Sequence, residues 1–302
     1  MTADGRRGTD ETARLFVVGT PIGNLADLSP RAAEVLASVD AVICEDTRRT
    51  GRLLAHIGTG AARVDTDGTG RAGRTERADL LVANEHTEVP RIAEVIDRLD
   101  RGQRLALVTD AGMPTISDPG EQLIRAVTEH GVPVEVIPGP TAVSAALALS
   151  ALPTGRYVFE GFLPRKGRER TDRLTELAAE TRTVVVYEAP HRIQRTLADL
   201  ASVCGGDRPV AVARELTKLH EEVLRTTLAE AHGHFDEVEP RGEFVLVVAG
   251  RPTDRSVPTD EELRSLLREQ LDGGLSRRDA VVAVVADTGQ PKRRVYDLAT
   301  SL

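Results

Sequence analysis

The sequence predicts an α/β protein: two successive α/β domains followed by a small helical module. Three observations predict it. Residues 14–152 repeat a rhythm of short apolar run, loop and amphipathic segment, as in a mainly parallel sheet covered by helices. Residues 153–252 hold five more strand candidates with only two solid helical patterns between them, which suits a mixed sheet. Residues 258–302 carry helical periodicity alone.

Composition narrows the class. Hydrophobic residues make up 40 % of the 302, aromatics only 3 %, so cores must rest on Val, Leu, Ile and Ala. A net charge of −8 argues against a chain that simply coats nucleic acid, without excluding a local basic face. Lys166, Lys218 and Lys292 are the only lysines among 39 basic residues, an Arg preference that coding bias explains as well as guanidinium chemistry does. Cys44 and Cys204 form no CxxC pair and no disulfide framework. With no apolar run of membrane-spanning length, a soluble cytoplasmic protein is expected.

Residues 1–13 read as a polar, disordered leader. The run Leu15–Val18 predicts the first strand, and Gly19-Thr20-Pro21-Ile22-Gly23 a turn where backbone approaches either itself or a ligand. Ser29-Pro30 starts a helix to about Ser38. Ala41–Cys44 predicts a second strand running into Glu45-Asp46-Thr47-Arg48-Arg49, charges that either pair with each other or line a cleft mouth. Residues 58–77 suggest an aperiodic surface loop. Leu80–Ala83 predicts the third strand, followed by a helix with Ile92, Val95, Ile96 and Leu99 on one face. His86 lies between them without metal-ligand spacing to another His or Cys, so no metal is expected.

Leu105–Val108 predicts the central strand. The loop Thr109 to Pro114 follows, and Asp118, Pro119 and Glu121 have the spacing of a helix N-cap, first helical residue and capping-box acid. Asp110 and Ser117 thus fall beyond the strand's carboxyl end, where open α/β sheets bind ligands. Val134–Ile137 predicts a fifth strand, then Pro138–Ala142 and a helix of small residues from Val143 to Leu149 that packs closely on a sheet or a planar ligand.

In the second domain the strands are expected at 157–160, 184–187, 210–213, 222–225 and 244–248, with helices near 169–180 and 190–203. Three strand ends carry charge clusters around Arg165-Lys166, Glu188 to Arg192, and Arg214 to Lys218, either surface ion pairs or one cleft wall. Beyond a linker ending at Pro258, helices are expected at 261–271, 276–286 and 292–301. The last two resemble a helix-turn-helix with Arg277, Arg278, Lys292, Arg293 and Arg294 as a basic edge, or a packing or dimerisation appendage.

The motifs GTPIGNL, EDTRRT, NEHTE, TDAGMPTISDPG, PGPT, EGFLPRKGRER, YEAPHRI, RELTK and GEFVLVVAG, in that order, resemble the ribosomal RNA small subunit methyltransferases of the tetrapyrrole methylase superfamily. Met113, Thr87 and Thr141 depart from the usual residues, and the 58–77 insert is longer than usual. The resemblance implies methylase-type domains at 14–152 and 153–252 with a cofactor cleft between them, a helical module at 258–302, and a homodimer. It implies S-adenosylmethionine-dependent 2′-O-methylation of a cytidine in the decoding centre of 16S rRNA. Rival readings are methylation of a tetrapyrrole or a diphthine-type histidine, or a non-enzymatic assembly factor. Ile22, Asp110, Met113, Ser117, Thr141, Ala142, Glu188 and Phe244 are the expected cofactor-binding residues. Asp46, Lys166 and Glu188 are the candidate catalytic proton acceptors. Arg48, His86, Arg165, Arg192, Arg214 and Lys218 are expected to hold the RNA substrate.

Overall fold

The computed structural model describes residues 13–58, 78–84, 87–252 and 258–302. His86, the leader and most of the 58–77 insert lie outside the described residues. Two compact units emerge, Met1–Arg251 and Pro252–Leu302.

The first unit begins with a five-stranded sheet. Its strands are β1 (Arg14–Val18), β2 (Ala41–Cys44), β3 (Asp79–Val82), β4 (Arg104–Leu107) and β5 (Val134–Ile137), ordered β3-β2-β4-β1-β5 and all parallel. Both faces are covered, which is why the strands read as continuous apolar runs. On one face Phe16, Val42 and Ala106 pack with Ala32 and Leu36 of α1 (Pro30–Ser38) and Leu53 and Leu54 of α2 (Thr47–His56). On the other, Leu15, Ile43 and Leu105 pack with Val95 and Leu99 of α3 (Glu88–Asp100) and Leu123 and Val127 of α4 (Glu121–Glu129).

In the Glu45 to Arg49 cluster Asp46 and Arg48 pair with each other at 2.8 Å, and Asp46 also caps α2, accepting from the Arg48 backbone N–H at 2.8 Å. One local expectation is corrected. Asp118 does not cap α4. That helix starts after Gly120 (φ +125°), and the buried Glu88 carboxylate takes the Leu123 N–H at 2.8 Å.

The second sheet is mixed, ordered β6-β7-β10-β8-β9, from β6 (Tyr157–Phe162), β7 (Thr183–Glu188), β8 (Pro209–Arg214), β9 (Glu222–Thr227) and β10 (Phe244–Val248). Only β6 and β7 are parallel. Val184, Val210 and Leu246 bury one face under α6 (Gly167–Ala179), α7 (Ile193–Cys204) and α8 (Leu228–Glu237). The opposite face, with Val185, Ala211 and Val247, is covered by Val143, Ala146 and Leu147 of α5 (Ala142–Ser150). The small-residue helix therefore follows the first sheet in sequence but packs on the second, joining both sheets into one unit.

In the second unit α9 (Asp260–Asp272), α10 (Arg277–Thr288) and α11 (Lys292–Thr300) surround Leu263, Leu267, Val281, Val284, Val295 and Leu298. Thr259 and Glu262 form a capping box on α9, and Ser276 caps α10. Arg294 holds the start of α9 through Asp260 (2.7 Å) and the Pro258 carbonyl (2.9 Å), leaving Arg277, Arg278, Lys292 and Arg293 exposed.

Candidate functional site

The loops at the carboxyl edge of the first sheet are tied to one another. Thr20 and Gly112 exchange backbone hydrogen bonds of 2.8 and 3.1 Å, and the Thr20 hydroxyl donates to the Thr109 carbonyl at 3.1 Å. Gly19 has to be glycine, because a Cβ there would lie 2.6 Å from the Gly139 nitrogen and the Met113 sulfur. The turns after β1, β4 and β5 thus meet at one point. Thr115 (φ +73°) and Ser117 (φ +64°) hold left-handed conformations costing about 1–2 kcal/mol each. Strain of that kind persists where surrounding contacts fix it. Here the contact is with the second sheet: a Cβ on Gly161, at the β6 bulge, would fall 2.7 Å from the Ser117 hydroxyl oxygen.

Between these loops and the ends of β6, β7 and β10 lies a cavity of about 330 Å³. Ile22, the central loop from Ala111 through Met113 and again from Ile116 to Asp118, and Thr141 and Ala142 line one side. Phe162, Tyr187 to Pro190, Leu216 and Glu243 to Val245 line the other. Burial pushes the Tyr187 phenol up to about 12, and its ring packs edge-on against Phe159 and Phe162 at 4.9 and 5.7 Å. Thr141 caps α5 by accepting from the Ser144 N–H.

Ile22, Met113, Ser117, Thr141, Ala142, Glu188 and Phe244 therefore come together around one space. Asp110 does not join them. The Thr20–Gly112 bridge turns the chain so that Ala111 onward faces the cavity, while Asp110 lines a separate recess with Thr20, Thr50 and Leu53 and meets Arg49 at 3.4 Å. Burial first, then the neighbouring Glu45 charge, raises its carboxyl above the ordinary value.

A groove of about 870 Å³ adjoins the cavity and shares Ser117, Asp118, Phe162 and Ala189 with it. Its other walls include Glu45, Gln122, Arg165, His191 and Arg192. Arg192 is fixed from behind: it donates to the Leu163 carbonyl at 2.5 Å and meets Glu188 at 3.1 Å. Arg170, 4 % exposed, donates to the Pro164 carbonyl at 2.8 Å and to the Thr196 hydroxyl at 3.0 Å. The segment carrying Arg165 is thereby clamped by two arginines.

The three candidate proton acceptors fare differently from expectation. Glu188 is fully buried and already accepts from Thr196 at 2.6 Å and the Ala189 N–H at 2.9 Å besides meeting Arg192, so its charge is spent on holding the groove wall. Asp46 is bound to the backbone and guanidinium of Arg48, which hold its carboxyl well below the usual range. Lys166 is an exposed residue before α6 and lines neither space. Among the expected RNA contacts, Arg165 and Arg192 reach the groove. Arg48 is 86 % exposed beside Asp46, Arg214 pairs with Glu222 at 2.7 Å, and Lys218 bridges Glu215 (2.8 Å) and Glu243 (3.0 Å).

Sequence reasoning missed Asp118 as a site residue, because its spacing to Glu121 mimics a cap. Its carboxyl is pushed up to about 6, by burial first and then by the charges of Glu45 and Asp110, with the Thr109 hydroxyl opposing. Phe162 and Tyr187 were also missed, since no local pattern separates a cavity aromatic from a core one.

The sequence model for the tetrapyrrole (corrin/porphyrin) methylases matches residues 14–232. The chain is 45 % identical over 289 residues to the ribosomal RNA small subunit methyltransferase I of Synechocystis sp., covering 95 % of this chain and 98 % of that one. The protein of the same name from Thermotoga maritima is 41 % identical over 238 residues, 79 % of this chain and 99 % of the relative. Among solved structures, a uroporphyrin-III C-methyltransferase from Thermus thermophilus complexed with S-adenosylhomocysteine superposes with a TM-score of 0.53 at 18 % identity, covering 78 % of this chain and 97 % of that one. The likeness at that identity is one of fold.

Proposed function

The chain belongs to the tetrapyrrole methylase family, among the ribosomal RNA small subunit methyltransferase I proteins, and from that premise we propose that it methylates the ribose 2′-hydroxyl of a cytidine in the decoding centre of 16S rRNA, using S-adenosylmethionine. One observation carries the reading: a mainly apolar cavity opens along a shared wall into a groove edged by Arg165 and Arg192. A cofactor-sized space beside a phosphate-holding edge is what a methyltransferase acting on RNA requires.

The residues fit the cofactor. At about 330 Å³ the cavity falls in the range of small-molecule sites. Ile22, Met113, Phe244 and Val245 offer apolar surface for a purine, and the start of α5 at Thr141 and Ala142 offers N–H groups for a carboxylate. When bound, S-adenosylmethionine supplies an electrophilic methyl group on a sulfonium. The protein's own work is alignment and exclusion of water: in-line displacement depends on holding donor and acceptor in register, and Gly19, Gly161 and the Thr20–Gly112 bridge keep the loops from shifting. In the groove Arg165 and Arg192 position phosphates without reading sequence, and the half-exposed Phe162 ring offers a face to an unstacked base. A ribosomal substrate implies work in the cytoplasm, and we propose that the protein acts there as a homodimer.

Incubation with tritiated S-adenosylmethionine and, separately, purified small subunits, naked 16S rRNA and a tetrapyrrole tests the reading. Label is expected on small-subunit RNA, in an alkali-resistant dinucleotide beginning with cytidine, since a 2′-O-methyl group blocks alkaline cleavage. Label on the tetrapyrrole alone would move the protein to another branch of its family.

A further inference from the structure

A ribose hydroxyl that becomes an ether must give up its proton, and Asp46, Lys166 and Glu188 are all placed or occupied so that they do not receive it. Resting on the RNA reading above, we propose that Asp118 is the proton acceptor, acting from the wall it shares between cavity and groove. Its position is the argument. Among the described residues Asp118 is the one titratable side chain lining both spaces, so it stands where methyl donor and nucleotide must meet. The other nearby acids are excluded by what they touch. Glu45 accepts from the Thr109 hydroxyl, Glu88 holds the Leu123 N–H, Glu243 holds Lys218, and Asp110 belongs to the recess with Arg49.

The loop is built to present this carboxylate rather than to cap a helix. Thr115 and Ser117 are left-handed, Gly120 has φ +125°, and α4 receives its cap from Glu88 instead. Behind Asp118 stands the Thr109 hydroxyl, 4 % exposed, set between Glu45 at 2.5 Å and the Asp118 carboxyl. Its hydrogen bond favours the Asp118 carboxylate, but burial outweighs it, so Asp118 holds a proton more readily than an exposed acid would. Glu45 from the end of β2 and Asp110 from the central loop oppose its ionisation, Tyr187 faces it from β7, and Arg165, His191 and Arg192 line the groove beyond.

The step balances as follows. A lone pair of the ribose 2′-oxygen forms the bond to the methyl carbon, the carbon–sulfur bond breaks with its electron pair remaining on sulfur as a thioether, and the hydroxyl proton passes to the Asp118 carboxylate. From there it returns to water through the groove. A base titrating near 6 is ionised at neutral pH and still accepts the proton of an oxygen that is becoming an ether.

The test uses the full chain and its Asp118→Asn, Asp118→Glu and Glu45→Gln variants. In cofactor-free protein, ¹³C NMR of the Asp118 carboxyl should titrate near 6, and an ordinary value near 4 overturns the proposal. Calorimetry with S-adenosylhomocysteine, which has no sulfonium charge, should give affinities within about threefold of the parent for every variant. Loss of that affinity in Asp118→Asn would mean the residue acts by holding the cofactor. Single-turnover transfer to small subunits should fall about 100-fold or more in Asp118→Asn and recover partly in Asp118→Glu. The parent rate should rise with pH to a plateau above about 6, and Glu45→Gln should move that inflection lower. A parent that labels subunits alongside an undiminished Asn variant overturns Asp118 alone. A parent that labels no subunit RNA overturns the RNA reading and Asp118 with it.

Discussion

The Asp118 carboxyl has a consequence for stability as well as for chemistry. Its folded value lies near 6 against an ordinary 3.8, so between those values the folded chain binds its proton more tightly than the unfolded chain does. The sign follows: stability contributed by this residue is present at low pH and is lost as pH rises through about 6, and at neutral pH the ionised group is a net cost. Asp118→Asn should therefore melt at a higher temperature than the parent at about pH 7.5, with the gap narrowing near pH 4.5, as thermal melts at the two values would measure. Gly19 gives the opposite kind of prediction. A methyl group there meets Gly139 backbone at 2.6–2.8 Å, and backbone cannot step aside as a flexible side chain can. Gly19→Ala should destabilise by about 2 kcal/mol or more in urea unfolding and weaken S-adenosylhomocysteine binding, because the same point fixes Met113.

The elements show which parts of a sequence speak locally and which do not. The parallel strands were legible because a strand buried on both faces must be apolar throughout, and β2, β5 and β10 fall at the residues their apolar runs indicated. Helix α8 was not, since LAEAHGHFDE places a glycine and two histidines among its few apolar residues; Thr227 and Glu230 secure it with a capping box. The start of α4 was misjudged for a different reason. Asp118, Pro119 and Glu121 have the right spacing for a cap, but the acceptor that serves the helix is Glu88, from 35 residues earlier in the chain. Long-range partners of this kind leave no mark in a local window. The Gly- and acid-bearing loops pointed to the site's edge of the sheet, yet the twist that sends Asp110 to one side and Asp118 to the other depends on the Thr20–Gly112 bridge. Glu88→Ala should cost about 1–3 kcal/mol, the worth of an orphaned buried donor, whereas Glu88→Gln keeps an acceptor and should cost less. Chemical denaturation of both variants would measure the difference.

At the scale of the whole molecule, the chain holds two units that each close their own core. Residues of α9, α10 and α11 bury Leu263, Leu267, Val281 and Leu298 against one another, while the described lining of the cavity comes wholly from residues before Arg251. A chain ending at Arg251 should thus fold and bind S-adenosylhomocysteine as the parent does. What it should lose is RNA affinity, because Arg277, Arg278, Lys292 and Arg293 are exposed and each phosphate they neutralise releases a counterion. The loss should be largest at low salt and shrink as salt rises, with a shallower dependence of log affinity on log salt than in the parent. Filter binding of small-subunit rRNA across a salt series would measure both slopes. Equal slopes for the two chains would mean that the basic edge of the helical unit touches no phosphate.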